Sequence, residues 1–262
     1  MRWDAYRIDA EYTETKLSPK ISVAYSPSDQ ITLRAAFGDG FRVPSLAERF
    51  TDNRDFFPIV RNLALKPERS RSYELGIKSR FIHSVAGLVR ADVAVFINEY
   101  WNLIEPKLVP SLQAFQFVNL TRARIRGAEI TVEWMFPVRN LTFRSGYTFL
   151  DADDLTENEP LSFRSAHLLV LSLDSRVYGP FAIGADFRYI SQPERLDTDF
   201  SRFVADADLL VDTRVLDARA SITLGGFRCS IIVNNLTEYY YLERPALLGA
   251  PRRVSLQLQY DF

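Results

Sequence analysis

Alternation with a period of two, repeated along the whole chain, is the property that most restricts its fold. In the last ten residues Val254, Leu256, Leu258, Tyr260 and Phe262 alternate with Arg253, Ser255, Gln257, Gln259 and Asp261. Successive side chains of a strand point to opposite faces, so this segment has one apolar and one polar face. The same pattern places Tyr73, Leu75, Ile77 and Phe81 on one side of a strand, and Ala128, Ile130, Val132 and Trp134 on one side of another. It recurs through Leu141–Phe149, Phe181–Tyr189 and Leu216–Leu224. About 12–13 such segments of roughly 8–14 residues can be drawn, near or above the ~9–11 that cross a bilayer at a tilt. No helical period competes over a long window.

Connections between the segments alternate in length. Short ones fall near 26–29, 82–84, 137–139, 178–180 and 224–226; long ones cover about 39–67, 101–112, 152–161, 192–207 and 239–250. Short turns at one rim and long loops at the other characterise transmembrane barrels. Soluble sandwiches also alternate, but their apolar faces fill an interior. Here the polar face carries Glu74, Arg90, Asp92, Glu129, Glu133, Arg144, Asp186, Arg188, Asp217 and Arg219 deep within segments. Those charges suit a wide, wet lumen. The expected class is therefore all-β, an antiparallel transmembrane β-barrel. Aromatic residues at 13% suit rings at membrane interfaces. A net charge of −1 gives no basic field for nucleic acid. The lone Cys229 excludes an internal disulfide framework. No run approaches 18 uncharged apolar residues, which says nothing against strands that cross a membrane. Met1–Tyr6 lead into strand-like sequence without an apolar leader, so an upstream part is expected.

The alternating end, with Tyr260 and Phe262, resembles the terminal signature by which the barrel assembly machinery recognises outer-membrane proteins. Other stretches resemble the barrel of TonB-dependent receptors, in the order of that family. Gly40-Phe41-Arg42-Val43-Pro44 through Glu48 looks like its Gly-Phe-Arg-x-Pro-x-x-x-Glu block. Asn62 to Glu68 and Tyr73-Glu74-Leu75-Gly76 follow. Then come Phe117-Val118-Asn119 with Gly127-Ala128-Glu129, Tyr147 to Ala152, Val233-Asn234-Asn235-Leu236, and Pro251-Arg252-Arg253. The match covers about 17–262. It implies that 1–262 is the C-terminal portion of a barrel of about 22 strands, with the plug domain and first strands lying outside it. It also implies an outer-membrane location in a Gram-negative bacterium and uptake of a scarce nutrient complex, such as a ferric siderophore or cobalamin. Import would be energised by TonB through the plug. A passive pore of about 12 strands, or a soluble β-rich binding module, are the alternatives that the residues leave open.

The long loops supply candidate ligand contacts: Arg54, Phe56, Phe57 and Arg61, then Trp101, then Tyr240. Arginines beside rings can grip an anionic, aromatic iron chelate; the competing reading is an interfacial girdle touching lipid bilayer and lipopolysaccharide. His83 and His167 lie far apart and suit turn and lumen positions. Asp151, Asp153, Asp154, Glu157 and Glu159 form an acidic stretch without the spacing of a calcium loop. With no Ser/His/Asp order and no phosphate-cradling loop, no enzyme, cofactor or metal site is expected.

Overall fold

The structure, a computed structural model, describes residues 2–7, 13–55, 58–83, 85–196, 211–244 and 247–260. Eleven strands form one continuous antiparallel meander in chain order, from β3 (Lys20–Ser28) and β4 (Ile31–Arg42) to β16 (Arg253–Tyr260). Between them run β5 (Glu68–His83), β6 (Gly87–Val109), β7 (Ala114–Phe136), β8 (Leu141–Asp154), β10 (His167–Tyr178), β11 (Phe181–Ile190), β12 (Thr213–Leu224) and β13 (Phe227–Asn234). The two-residue β9 (Glu159–Pro160) pairs with the end of β8, and β14 (Leu242–Arg244) with β15 (Leu247–Leu248). β1 (Arg2–Arg7) pairs with β2 (Thr13–Ser18). Only Pro19 separates β2 from β3, and its carbonyl still accepts from the Asp39 amide at 2.9 Å. β2 and β3 thus continue one line, and the count agrees with the 12 or 13 segments in the alternation. The sheet is open, with β3 and β16 at the ends of the strand order.

Away from the long-loop rim, each side of this sheet has a single character. Register places Leu33, Leu75, Val95 and Ala128, and likewise Ile77, Val93, Ile130 and Tyr147, on one face. No second layer covers that face among the described residues: Leu75 is 61% exposed, Ile183 53% and Leu258 73%. A sandwich would bury these side chains against a partner sheet. Only a hydrocarbon surround relieves the cost of so much apolar surface in water. The opposite face carries the charged residues, as expected for a lumen.

The strands do not stop at the membrane. β6 and β7 have 23 residues each, ~75 Å at ~3.3 Å per residue, against the ~9–11 residues that a crossing needs. The segment 101–112 is therefore not a loop. Its strands remain paired to Val109↔Ala114, and 110–113 make a tight turn. The bend comes at Asn102, with φ 56°. Beyond it β6 has lost β5 as a neighbour, since that pairing ends at Arg69↔Trp101. Pro106 is tolerated there because an edge strand can spare one N–H.

A short helix that the alternation did not suggest, α1 (Leu46–Phe50), opens the 43–67 connection. Ser45 accepts from the Glu48 amide at 3.2 Å, and the Glu48 carboxylate accepts from the Ser45 amide at 2.7 Å. This capping box after Pro44 was the available sequence signal.

Candidate functional site: the lumen wall and the long-loop rim

The lumen wall is laced by ion pairs that run across strands. Arg34 on β4 donates to Glu74 on β5 at 2.9 Å and to Asp92 on β6 at 2.7 Å. Its guanidinium lies over Gly76, where a Cβ would sit 2.5 Å from Arg34 Cζ. That close approach explains the glycine in Tyr-Glu-Leu-Gly. A longer chain starts at Arg90, which donates to Glu133 at 2.7 Å. Glu133 accepts from Arg144 at 3.2 Å, and Arg144 reaches Asp174 at 3.4 Å. Arg219 then joins Asp174 to Asp186. Alternating signs on β6, β7, β8, β10, β12 and β11 leave a polar wall with little net charge. It suits water and a polar occupant of the lumen.

At the long-loop end, the family-like blocks converge on one junction. Arg42 donates through Nε and Nη2 to both oxygens of Glu68, at 2.6 and 2.7 Å, and through Nη1 to Glu48 at 2.8 Å. Glu68 is buried and also accepts from the Ile104 amide at 2.7 Å. Burial pushes the Glu48 carboxyl up, but the bonds from Arg42 and Ser45 outweigh it and hold Glu48 below its ordinary range. Asn62 donates to the Phe117 carbonyl at 2.8 Å. Asn119 accepts from the Lys66 amide at 2.9 Å and donates to the Lys66 and Asn102 carbonyls at 3.0 and 2.8 Å. The 43–67 connection is thus laid against the projecting β6–β7 hairpin, and the buried Phe115 sits in that seam. These asparagines satisfy backbone groups that strand pairing leaves over.

The other connections are anchored in the same way. Asn235, buried and at φ 50°, donates to the Tyr239 and Ala250 carbonyls at 2.9 and 3.1 Å and accepts from the Tyr239 amide at 2.8 Å. Tyr241 is buried, its ring over Gly249, and its hydroxyl accepts from Arg188 on the lumen face at 3.2 Å. Asp212 accepts from Arg214 at 2.7 Å and from the Gln192 amide at 2.9 Å, which together hold its carboxyl below the ordinary range. A depressed carboxyl contributes stability above its unfolded pKa, and that contribution is lost as pH falls through the folded value. Exchange of the Gln192 amide, corrected for intrinsic rate, should be slow at pH 7 and rise several-fold on acidification below about pH 4. Asp212→Ala should exchange fast at both.

Between the β8 and β10 ends lies a cleft of about 600 Å³, lined by Glu105, Lys107, Asp154, Leu161, Phe163 and Arg195. Burial holds Glu105 above the ordinary carboxylate range, against the pull of Arg164 at 2.9 Å. Among the described residues no group of His, Cys, Asp or Glu could hold a metal ion. Asp154 caps its own turn, accepting from the Thr156 and Glu157 amides.

The structure does not gather the candidate ligand residues into one place. Arg54 and Arg61 share Asp52, at 3.5 and 3.9 Å, on the exposed 43–67 connection. Tyr240 is exposed beside the buried Tyr241. Trp101 stands on the outer face, in line with Val95 and Ile97, not over the lumen. Phe56, Phe57 and Phe262 lie outside the described residues. Tyr260 packs on Phe227 at 4.4 Å, where the short-turn rim ends. His83 accepts from the Val85 and Ala86 amides in a turn, as expected. His167 differs from expectation: it shares the outer face with Phe149 and a 2.8 Å hydrogen bond with Tyr147. In a strand one step of parity moves a side chain from lumen to lipid.

An antiparallel meander with an apolar outer face, a charged inner face and unequal rims is the wall of a transmembrane β-barrel. Residues 1–236 match the family described as TonB dependent receptor-like, beta-barrel, and the chain belongs to that family. Its members are outer-membrane proteins of Gram-negative bacteria, transport receptors and not enzymes. The heme/hemopexin utilization protein C of Haemophilus influenzae (strain 86-028NP) is 22% identical over the whole chain, which covers 40% of that protein. The vitamin B12 transporter BtuB of Vibrio vulnificus is 28% identical over 55% of the chain and 22% of the transporter. Among solved structures, the copper transporter OprC superposes with a TM-score of 0.78 at 16% identity, over 96% of this chain and 40% of that one. The Serratia marcescens hemophore receptor HasR, solved with its hemophore HasA and heme, gives 0.70 at 20% identity, over 96% and 40%. The chain thus spans about 40% of the length of these full-chain relatives.

Proposed function

We propose that residues 1–262 form the C-terminal portion of the barrel of a nutrient receptor. In this reading the long-loop rim binds a metal or cofactor complex outside the cell, and a plug contacted by TonB gates its passage through the lumen. The observation that carries the reading is the pairing of an ion-laced polar wall with a buttressed long-loop rim, within this family. The junction of Arg42, Glu48 and Glu68 supports it, because it fixes loops to wall without using the loop-tip side chains. Arg54 and Arg61, whose contacts with Asp52 are long, and the exposed Tyr240 then serve as ligand contacts, joined by Phe56 and Phe57. The barrel assembly machinery would engage the end at Tyr260 and Phe262.

Heme, ferric siderophores, cobalamin and copper ions are the ligand probes that the relatives' names support. The two histidines, in a turn and on the outer face, leave iron ligation by a rim histidine of this chain without a residue to perform it. The test is binding of hemin, ferric enterobactin, cobalamin and copper(II) to the receptor purified from outer membranes, followed by Arg54→Ala/Arg61→Ala. Loss of charge-assisted hydrogen bonds should weaken an anionic ligand about tenfold or more. Failure of all four probes to bind, together with steady open conductance in a planar bilayer, would favour a passive pore instead. The same reading expects the 262-residue chain, made alone, to leave both sheet edges unpaired and to aggregate. Heat-modifiable, monomeric migration on a cold detergent gel would count against it.

A further inference from the structure

The lumen wall changes character at its short-turn end. Arg34, Arg90, Arg144 and Arg219 each end on a carboxylate of a neighbouring strand. Two arginines on the same face do not. Arg176, near the end of β10, and Arg228, at the start of β13, are exposed, and among the described residues neither meets a carboxylate within ion-pair distance. Arg228 reaches only the Thr223 hydroxyl, at 3.4 Å. Both line one pocket of about 570 Å³, beside the short turns at 178–180 and 224–226. Register draws its floor: one row, Arg176–Ala182–Ser221–Ser230–Gln257, runs across five strands, and its three middle members are small. Arg219 stands on the next row toward the loops and Arg228 on the next row toward the turns. The lining carries three arginines against one aspartate, Asp174, which Arg219 and Arg144 already share.

A guanidinium fork binds carboxylate or phosphate through two parallel hydrogen bonds. The hydroxyls of Ser221 and Ser230 and the amide of Gln257 offer further donors on the pocket's floor and flank. Arg176 and Arg228 stand on strands three apart in the sheet, ~14 Å at ~4.8 Å per strand. A single small oxyanion satisfies one of them; a molecule with two separate anionic groups satisfies both. Their uncompensated charge attracts such a molecule and repels a bare metal cation. We infer that the pocket at Arg176, Ser221, Arg228 and Gln257 binds a polyanion, a compound with two or more carboxylate or phosphate groups. Short turns lie at the periplasmic rim of a transmembrane barrel, so the site is the last station of the cargo before it leaves the lumen. The cargo is accordingly an anionic complex.

This inference rests on the reading of the lumen as a cargo path and narrows the class of cargo. The test titrates the intact receptor, purified from outer membranes, with citrate, pyrophosphate and orthophosphate as separate probes, followed by calorimetry. One of the two polyanions should bind about tenfold more tightly than orthophosphate; preference for citrate marks a polycarboxylate cargo, and preference for pyrophosphate a phosphorylated one. Arg176→Ala/Arg228→Ala should weaken that binding about tenfold or more, through loss of charge-assisted hydrogen bonds. Ser230→Trp, which fills the floor and leaves every charge, should weaken it several-fold. Heat-modifiable migration confirms that each variant is folded. Equal affinity in the wild type and both variants would overturn the proposal, as would orthophosphate binding as tightly as either polyanion. So would failure of both polyanions to bind, the result expected if a plug segment fills the pocket. Binding lost in Arg54→Ala/Arg61→Ala but kept in the lumen variants would place the polyanion at the rim and overturn it too. Steady open conductance of the receptor would instead overturn the reading beneath it.

Discussion

Arg42→Ala is expected to unlock the long-loop rim while leaving the membrane-spanning sheet paired. The substitution leaves Glu68 buried and Glu48 beside it, with no cation facing either one at this junction. Breaking a fully buried pair from one side costs ~3–5 kcal/mol. Arg42 is nearly half exposed, at 46% of its side-chain surface, so solvent screening brings the expected loss to about 2–3 kcal/mol. The structural consequence is local. Glu68 also accepts from the Ile104 amide, and Glu48 closes the helix cap, so α1 and the root of the projecting β6–β7 hairpin loosen together. Limited proteolysis should then cut within 43–67 at least tenfold faster, with heat-modifiable migration unchanged. Arg42→Lys should rescue only in part, because an ammonium cannot give Glu68 two parallel hydrogen bonds. Unchanged cleavage in Arg42→Ala would show that the junction does not hold the loop.

The junction also marks how far sequence alone reaches. Strand identity was legible because one face had to be apolar at every second position, as in Leu75, Ile77, Val93 and Ile130. The spacing of Arg42, Glu48 and Glu68 was visible as a pattern, yet their convergence depends on the register Arg42↔Glu68 and on one helical turn. Trp101 shows the limit. Period-two parity assigns it to the face of Val95, but nothing in the string says where along that face hydrocarbon ends. The switch to charge at Arg71, Glu99 and Arg126 becomes visible only when three strands are laid side by side. Likewise, the run Tyr239-Tyr240-Tyr241 does not announce which ring folds inward. Gly249, across the same connection, and Arg188, far off in sequence, decide for Tyr241. His167 was displaced from lumen to outer face for the same reason: its partner Phe149 fixes its side.

Ile77→Arg should cost about 2–4 kcal/mol of stability in a bilayer, the depth-dependent penalty for a cation on the lipid face near the midplane. Ile77 lies between Tyr73 at the upper aromatic level and Phe81 at the lower, and register aligns it with Leu33, Val93 and Ile130. The matched control is Thr131→Arg, next to Ile130 on the lumen face two strands away, where Asp92 and Lys78 stand in register at the same depth. There the new guanidinium meets water and a carboxylate, and the change should stay within about 1 kcal/mol. Urea unfolding of the receptor in lipid vesicles reads both. In a water-soluble sheet the ordering would reverse or vanish, because Ile77 is 41% exposed and an exposed arginine in water costs almost nothing. The contrast between two arginines at one depth, about 10 Å apart along the sheet, therefore measures the solvent on each side directly. Equal effects would show that the apolar face does not meet lipid, and the lumen wall and the loop rim would lose the frame that gives them a side.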